Sequence, residues 1–120
     1  LPKAERLRSL GAVRRLFDEG TAGFVYPFRY MVITEQSTQP SVEVLFSVPK
    51  RNHKRANKRN LLRRRSKEAY RLNKLSLHEA VEAKGLDLDI ALVYSTKEEL
   101  SYKTIENAVR RILAEVQERC

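Results

Sequence analysis

Cysteine, glycine, histidine and tryptophan are scarce in this sequence, and their scarcity excludes several kinds of site. Of the 120 residues one is a cysteine, Cys120, and none is a tryptophan. A single cysteine cannot form an internal disulfide or a cysteine-based zinc site. The four glycines are isolated, so there is no glycine-rich phosphate loop. His53 and His78 have no second His or Cys at metal-ligand spacing, and we expect each to be an ordinary surface or helix residue.

Long hydrophobic runs are also missing. No apolar run approaches the roughly 18 residues of a membrane span, and the first residues lack the apolar core of a secretory signal. A hydrophobic content of 42% is ordinary for a globular protein, and this length suits one modest core. We therefore expect a single domain over residues 1–120 in the cytoplasm, with no membrane span and no small-molecule substrate.

Positive charge, by contrast, is abundant and concentrated. Residues 50–74 carry a net charge of +11, with Glu68 as their only acid, whereas the whole chain carries +9 and its remainder a net −2. The segment is internal and interleaved with apolar residues, unlike a low-complexity tail. Such a block binds a polyanion through phosphate contacts and counterion release. We therefore predict a nucleic acid as the partner, with a membrane surface or an acidic protein as the alternatives.

Hydrophobic periodicity predicts an α+β fold. Ser9 and Gly20 bracket a first helix, Pro27 interrupts strand-like residues between 24 and 34, and Glu35–Ser41 is predicted to be a hairpin loop. Further strands are predicted at 42–48 and 88–94, and further helices at 56–73, at 75–84 and after the N-cap Ser101. A long helical connection between strands 42–48 and 88–94 indicates parallel neighbours. The expected architecture is a small, mostly antiparallel sheet with one parallel β-α-β crossover, packed against about three helices.

The helix predicted at 56–73 has two unlike sides. At 100° per residue one broad arc is apolar, while the opposite arc is cationic. The apolar arc comprises Leu61, Leu62, Ser66, Ala69, Tyr70, Leu72 and Asn73. The sequence shows no set of catalytic residues beside this helix. Its candidate acids do not form a recognisable two-metal site; they are Asp87, Asp89, Glu98 and Glu99. If the protein belongs to an enzyme, we expect another component to supply the active site.

Two motifs carry a resemblance to a known family. Phe46-Ser47-Val48-Pro49-Lys50-Arg51, followed after a gap by the run from Arg59-Asn60-Leu61 to Ala69-Tyr70, resembles the signature of the bacterial ribonuclease P protein subunit. Arg6-Leu7, Leu16-Phe17, Gly20-Thr21 and Leu100-Ser101-Tyr102 are similar to further family positions, in order along almost the whole chain. The departures are Leu61 in place of an arginine, Leu45 in place of a small residue, Met31 in place of a tyrosine, and a loop without the usual glycine.

The resemblance implies a ribonuclease P protein-like fold, related to the α/β sandwich of ribosomal proteins. It implies a protein subunit that binds a catalytic RNA, one to one, and the 5′ leader of precursor tRNA. The active site and its magnesium would reside in the RNA, so the protein would supply no catalytic residue and bind no metal or cofactor by itself.

The resemblance also suggests two sets of site residues. For the catalytic RNA these are Lys54, Arg55, Arg59, Asn60, Arg63, Arg64 and Lys67. For a leader-binding cleft they are Val13, Phe17, Arg29, Met31, Ser47 and Lys50. Val13 and Phe17 could equally fill the core, and Arg65 and Arg71 are the cations most suited to keeping the helix soluble.

Two other functions compete with this one. The first is a structural RNA-binding protein or RNA chaperone without a role in catalysis, which needs charge but no cleft. The second is a DNA-binding regulator, disfavoured because no helix-turn-helix pair precedes the basic helix.

Overall fold

The computed structural model describes residues 10–120, apart from the side chains of Leu10 and Ala12. This part of the chain forms one four-stranded sheet and four helices, in agreement with the four helical segments predicted. The predicted cap Ser9 and the pair Arg6-Leu7 lie outside the described residues. The elements in chain order are α1 (Leu10–Glu19), β1 (Thr21–Val25), β2 (Phe28–Gln36), β3 (Ser41–Ser47), α2 (Ala56–Asn73), α3 (Leu75–Lys84), β4 (Leu86–Tyr94) and α4 (Tyr102–Arg119).

Most of these elements follow the sequence pattern closely. The predicted bounds of α2 and α3 are confirmed, and Gly85 ends α3 with a φ of 65°, a left-handed conformation that glycine adopts without steric cost. The Ser101 side chain accepts a hydrogen bond from the Thr104 N–H at 3.3 Å, which caps α4 as predicted. Pro27 separates β1 from β2 within a tight turn, through a cis peptide bond. In the described part of the chain no helix is long and apolar enough to cross a membrane.

The strand order is β1-β2-β4-β3, so β4 lies between β2 and β3. It pairs antiparallel with β2 and parallel with β3, which confirms the predicted parallel crossover. The prediction that Glu35–Ser41 forms a hairpin loop is wrong, because β2 and β3 are not neighbours. β4 takes the central position since it is apolar on both faces, with Ile90 and Leu92 on one and Ala91 on the other, all buried.

Three helices cover one face of the sheet and build the main core. α2, α3 and α4 pack there against alternating residues of every strand. α2 contributes Leu62, Ser66, Ala69 and Tyr70, four members of the apolar arc predicted for it. Leu72 was assigned to the same arc but is 56% exposed, because at 100° per residue it lies roughly 100° around the helix from the middle of the four buried positions.

Among the described residues, only those of α1 cover the opposite face. Leu16 and Ala91 are fully buried between helix and sheet, and Val13, Met31, Ile33 and Leu45 pack around them half-buried. This second cluster is much smaller than the main core, so a large part of the face stays accessible. We call it the open face.

One end of the open face is acidic. Register pairing places Asp89 beside Glu43 and Asp87 beside Glu35, on three neighbouring strands. Burial, together with repulsion from Glu43 and Asp87, raises the pKa of Asp89 to about 6, and Arg15 offsets only part of this effect. Arg15 itself is bonded to Glu35 and Glu19.

We expect Asp89→Asn to stabilise the protein at neutral pH. A carboxyl whose pKa is higher in the folded state favours folding at low pH, and that contribution is lost as the pH rises through about 6. The gain from the amide should therefore be largest at pH 7–8 and fade toward about pH 4, the ordinary range of an aspartate. Thermal unfolding measured across this range tests the expectation. Asp18→Asn, at an exposed position of α1, is the control. A gain in stability from Asp89→Asn that did not change with pH would contradict the expectation.

Candidate RNA interface

The start of α2 is anchored by a buried histidine. His53 is 4% exposed, its Nε2 lies 2.8 Å from the Thr96 carbonyl oxygen, and its ring packs edge-on against Tyr94. The expectation of an ordinary surface or helix residue is wrong for His53. The sequence could not reveal this role, because Thr96 and Tyr94 follow more than forty residues later.

Arg59 holds the same loop from the first turn of α2. Its Nη1 donates to the carbonyl oxygens of His53 and Lys54, at 2.9 and 2.8 Å. Of the seven residues predicted to contact the catalytic RNA, this one has a clear structural task. Lys54, which carries the second of these carbonyls, and the following Arg55 are exposed.

Two other cations of α2 are bonded to the loop between β4 and α4. Lys58 Nζ lies 3.2 Å from Glu99 Oε1, and Arg65 Nη1 donates to the Leu100 carbonyl oxygen at 2.6 Å. These contacts tie the cationic helix to the loop at residues 95–101. Arg65 was expected to serve solubility alone, and its half-buried guanidinium instead fastens α2 to this loop.

The outward face of α2 carries four further cations, together with one amide and one acidic side chain. Its side chains recur at the three- and four-residue spacing of a single helix face and border a shallow groove. They are Asn60, Arg63, Arg64, Lys67, Glu68 and Arg71. Arg63 Nη1 donates to Asn60 Oδ1 at 3.2 Å, which orients both side chains. Four of the seven predicted residues thus lie together, and we call this set of six residues the outer face of α2.

Arg71 differs from its neighbours on this face. Its guanidinium binds Glu68 through two hydrogen bonds of 3.1 and 2.5 Å. The same contact lowers the pKa of Glu68, which keeps the carboxylate charged. Arg71 is therefore partly neutralised, in keeping with a role in solubility. Arg64 and Lys67, in contrast, form no ion pair with another described residue, so their charges are available to a partner.

The open face brings the second predicted set together. Arg29 and Met31 lie on β2 and Ser47 on β3, all with side chains on this face. Lys50 is exposed in the turn that follows β3. Val13 packs in the small core under α1, so it fills core as well as bordering the face. Phe17 is 46% exposed and does not fill core.

A row of side chains crosses the open face at its non-acidic end. Phe24 pairs with Arg29, Arg29 with Val93, and Val93 with Ser47, so one residue from each strand stands in line. We call these four residues the cross-strand row. Sequence reasoning found Arg29 and Ser47 but missed Phe24 and Val93, because the pairing of four strands defines the row and no local motif does.

α1 separates this row from the acidic end. Arg15 reaches across one flank of α1 to Glu35 at the acidic end. Phe17 follows two residues later, about 160° around the helix, so its ring lies on the opposite flank, toward the cross-strand row. This flank and the cross-strand row therefore place the exposed ring of Phe17 and the cation Arg29 on the same part of the open face. Among residues 10–120, no group of three or more His, Cys, Asp or Glu side chains could hold a metal ion.

Comparisons with known proteins agree on one family. The family model described as Ribonuclease P matches residues 1–117. The chain is similar to the ribonuclease P protein component of Porphyromonas gingivalis, at 35% identity over 97% of this chain and 85% of that protein. It is also similar to the ribonuclease P protein component of Chlorobium phaeobacteroides, at 30% identity over 98% and 88% of the two chains.

Solved structures share the fold. A ribonuclease P protein structure from Staphylococcus aureus matches with a TM-score of 0.67 at 18% identity, over 95% of this chain and 96% of that one. The ribonuclease P protein from Thermotoga maritima matches with a TM-score of 0.65 at 22% identity, over 92% and 96%. The predicted α+β architecture is thus confirmed independently of the sequence relatives. The family match over nearly all of the sequence shows that the chain belongs to the ribonuclease P protein family, the protein component of the enzyme that matures the 5′ end of tRNA.

Proposed function

We propose that this subunit holds two RNAs on two different surfaces. The outer face of α2, with Lys54 and Arg55 at its start, binds the catalytic RNA. The cleft between Phe17 and the cross-strand row binds the 5′ leader of precursor tRNA. The observation that carries the proposal is the separation of these surfaces: one is a cationic helix face, and the other is a sheet face with an aromatic wall.

The outer face of α2 suits a structured RNA. Guanidinium groups bind phosphate oxygens through paired hydrogen bonds, and Arg63 and Arg64 present two of them side by side. Asn60, oriented by Arg63, can bond to a 2′-hydroxyl or a base edge. Because Lys58, Arg59 and Arg65 are engaged in holding the helix, we assign the RNA contact mainly to Lys54, Arg55, Asn60, Arg63, Arg64 and Lys67.

The cleft suits an unpaired strand. An exposed aromatic ring stacks on a base irrespective of its identity, and a nearby cation binds the adjoining phosphate. Phe17 and Arg29 provide these two groups, while Ser47 and Lys50 add a hydroxyl and a second charge at the β3 side. A leader strand held here would add affinity for precursor tRNA over mature tRNA.

We assign the bond cleavage and its magnesium to the catalytic RNA, as the family resemblance implies. The protein then acts through binding free energy, by raising the affinity of the complex for its substrate. We also propose a one-to-one complex with the RNA, in the cytoplasm.

Binding to the catalytic RNA should depend steeply on salt. With roughly six to eight phosphate contacts, affinity should fall by about three to four orders of magnitude between 50 and 200 mM salt. Filter binding or fluorescence titration over this range measures the slope. A flat response would reject the outer face of α2 as the main electrostatic contact.

Replacing Arg63 and Arg64 by alanine should weaken binding to the catalytic RNA without unfolding the protein. Each lost charge-assisted hydrogen bond costs about 1.5–3 kcal/mol, and neither side chain belongs to the core. The matched control removes the same charge from α4, at the exposed Arg110 and Arg111. If both double variants lose equal affinity, net charge alone drives binding and the assignment to α2 is wrong.

Phe17→Leu tests the leader cleft. The substitution keeps an apolar side chain but removes the flat ring, and base–aromatic stacking contributes about 1–3 kcal/mol per base. Affinity for precursor tRNA with a leader of several nucleotides should drop about tenfold, while affinity for mature tRNA and the melting temperature should stay unchanged. An equal loss for both RNAs would contradict a role in leader binding.

A further inference from the structure

Phe24 is the most exposed aromatic residue among those described, with 59% of its surface accessible. Its neighbours on β1 show which way it points. A Cβ on Gly23 would meet the ring of Tyr30 at 2.3 Å, and Val25 is buried in the main core, so both face the helices α2–α4. Because side chains alternate along a strand, Phe24 projects from the open face.

An exposed phenylalanine alone requires no explanation. Phe24 differs because its register partner is Arg29, which forms no ion pair with another described residue. An aromatic ring and a cation thus stand side by side at the end of the cross-strand row. Phe17 lies on the flank of α1 that faces the same row. Two exposed rings and one guanidinium thus lie on the same part of the open face, and that combination is what single-stranded nucleic acids bind.

The surroundings also limit the direction in which a strand can run. Glu35, Glu43, Asp87 and Asp89 occupy the open face beyond α1 and would repel phosphates. A nucleic-acid strand that ran parallel to the β-strands would cross α1 and reach these carboxylates. A strand that crossed the β-strands would stay on the row, over three inter-strand spacings or about 14 Å between Ser47 and Phe24.

We propose that Phe24 is a second base-stacking residue, and that the leader crosses the sheet along the cross-strand row from the β3 side toward the β1 edge. The proposal rests on the proposed leader-binding function. Ser47 and Lys50 adjoin the start of α2, where the catalytic RNA binds, so the leader enters there. It passes Arg29 and reaches Phe24 last. At a stacked rise of about 3.4 Å per nucleotide, Phe24 takes a base about four nucleotides beyond the one at Ser47.

The test compares leaders of different length. Precursor tRNAs with leaders of about two and about ten nucleotides, and mature tRNA, are titrated with the complex of protein and catalytic RNA. Phe24→Leu should reduce affinity for the long leader about tenfold and leave the short leader and mature tRNA unchanged. Phe24→Tyr, which keeps the ring, should bind like the unaltered protein. Leu75→Ala, at a 69% exposed position on α3, is the control for loss of exposed apolar surface.

The outcomes separate this inference from the function on which it rests. If Phe17→Leu reduces leader affinity and Phe24→Leu does not, the cleft binds the leader but the route to Phe24 is wrong. If the unaltered protein binds all three RNAs equally, the leader-binding function itself fails. Equal losses for all RNAs in Phe24→Leu would also overturn the proposal. The proposal would also be overturned if sedimentation showed a dimer of the unaltered protein that Phe24→Leu dissociates, because a second copy of the chain would then cover the ring.

Discussion

β4 lies parallel to β3, and a parallel neighbour can be reached only by a chain that first returns to the starting end of the sheet. Residues 48–85 make that return, and they do so as α2 and α3 on a single face. The cationic helix therefore packs on the sheet through Leu62, Ala69 and Tyr70 and turns its charges outward. Within residues 10–120, the same arrangement leaves the opposite face to α1 alone. Both proposed RNA surfaces thus follow from one strand pairing.

The loop at residues 95–101 determines which cations remain available. Tyr94 organises it, because its hydroxyl donates to the Glu98 carbonyl oxygen at 2.7 Å and accepts from the Leu100 N–H at 3.1 Å. The ordered loop then offers acceptors to α2 and the segment before it: the Thr96 carbonyl to His53, Glu99 to Lys58 and the Leu100 carbonyl to Arg65. Cations on the inner border of α2 become structural in this way. On its outer face Arg71 is paired with Glu68, whereas Arg63, Arg64 and Lys67 form no ion pair with another described residue and keep their charge for a partner.

Much of the candidate site could be predicted from local pattern. Asn60, Arg63, Arg64 and Lys67 recur at helical spacing, and α2 has the predicted bounds, so their common face follows from helix geometry. The structural contacts of His53 and Arg59 could not be predicted, since they depend on a loop distant in sequence and on the turn before α2. Phe24 was missed for a similar reason: it precedes the Pro27 turn as one of several aromatic residues, and only its pairing with Arg29 distinguishes it.

The sequence by itself determined what depends on near neighbours in the chain. The concentration of charge, the helix limits at Asn73 and Gly85, the break at Pro27 and the family motifs all belong to this class, because propensity, capping and periodicity act within a few residues. Tertiary structure alone decided the insertion of β4 between β2 and β3, the burial of His53, the exposure of Leu72 and the cross-strand row. The strand order and the row depend on which strand has two apolar faces to bury, and that competition is resolved only when all four strands meet. The burial of His53 and the exposure of Leu72 depend on how α2 and the segment before it pack against parts of the chain distant in sequence.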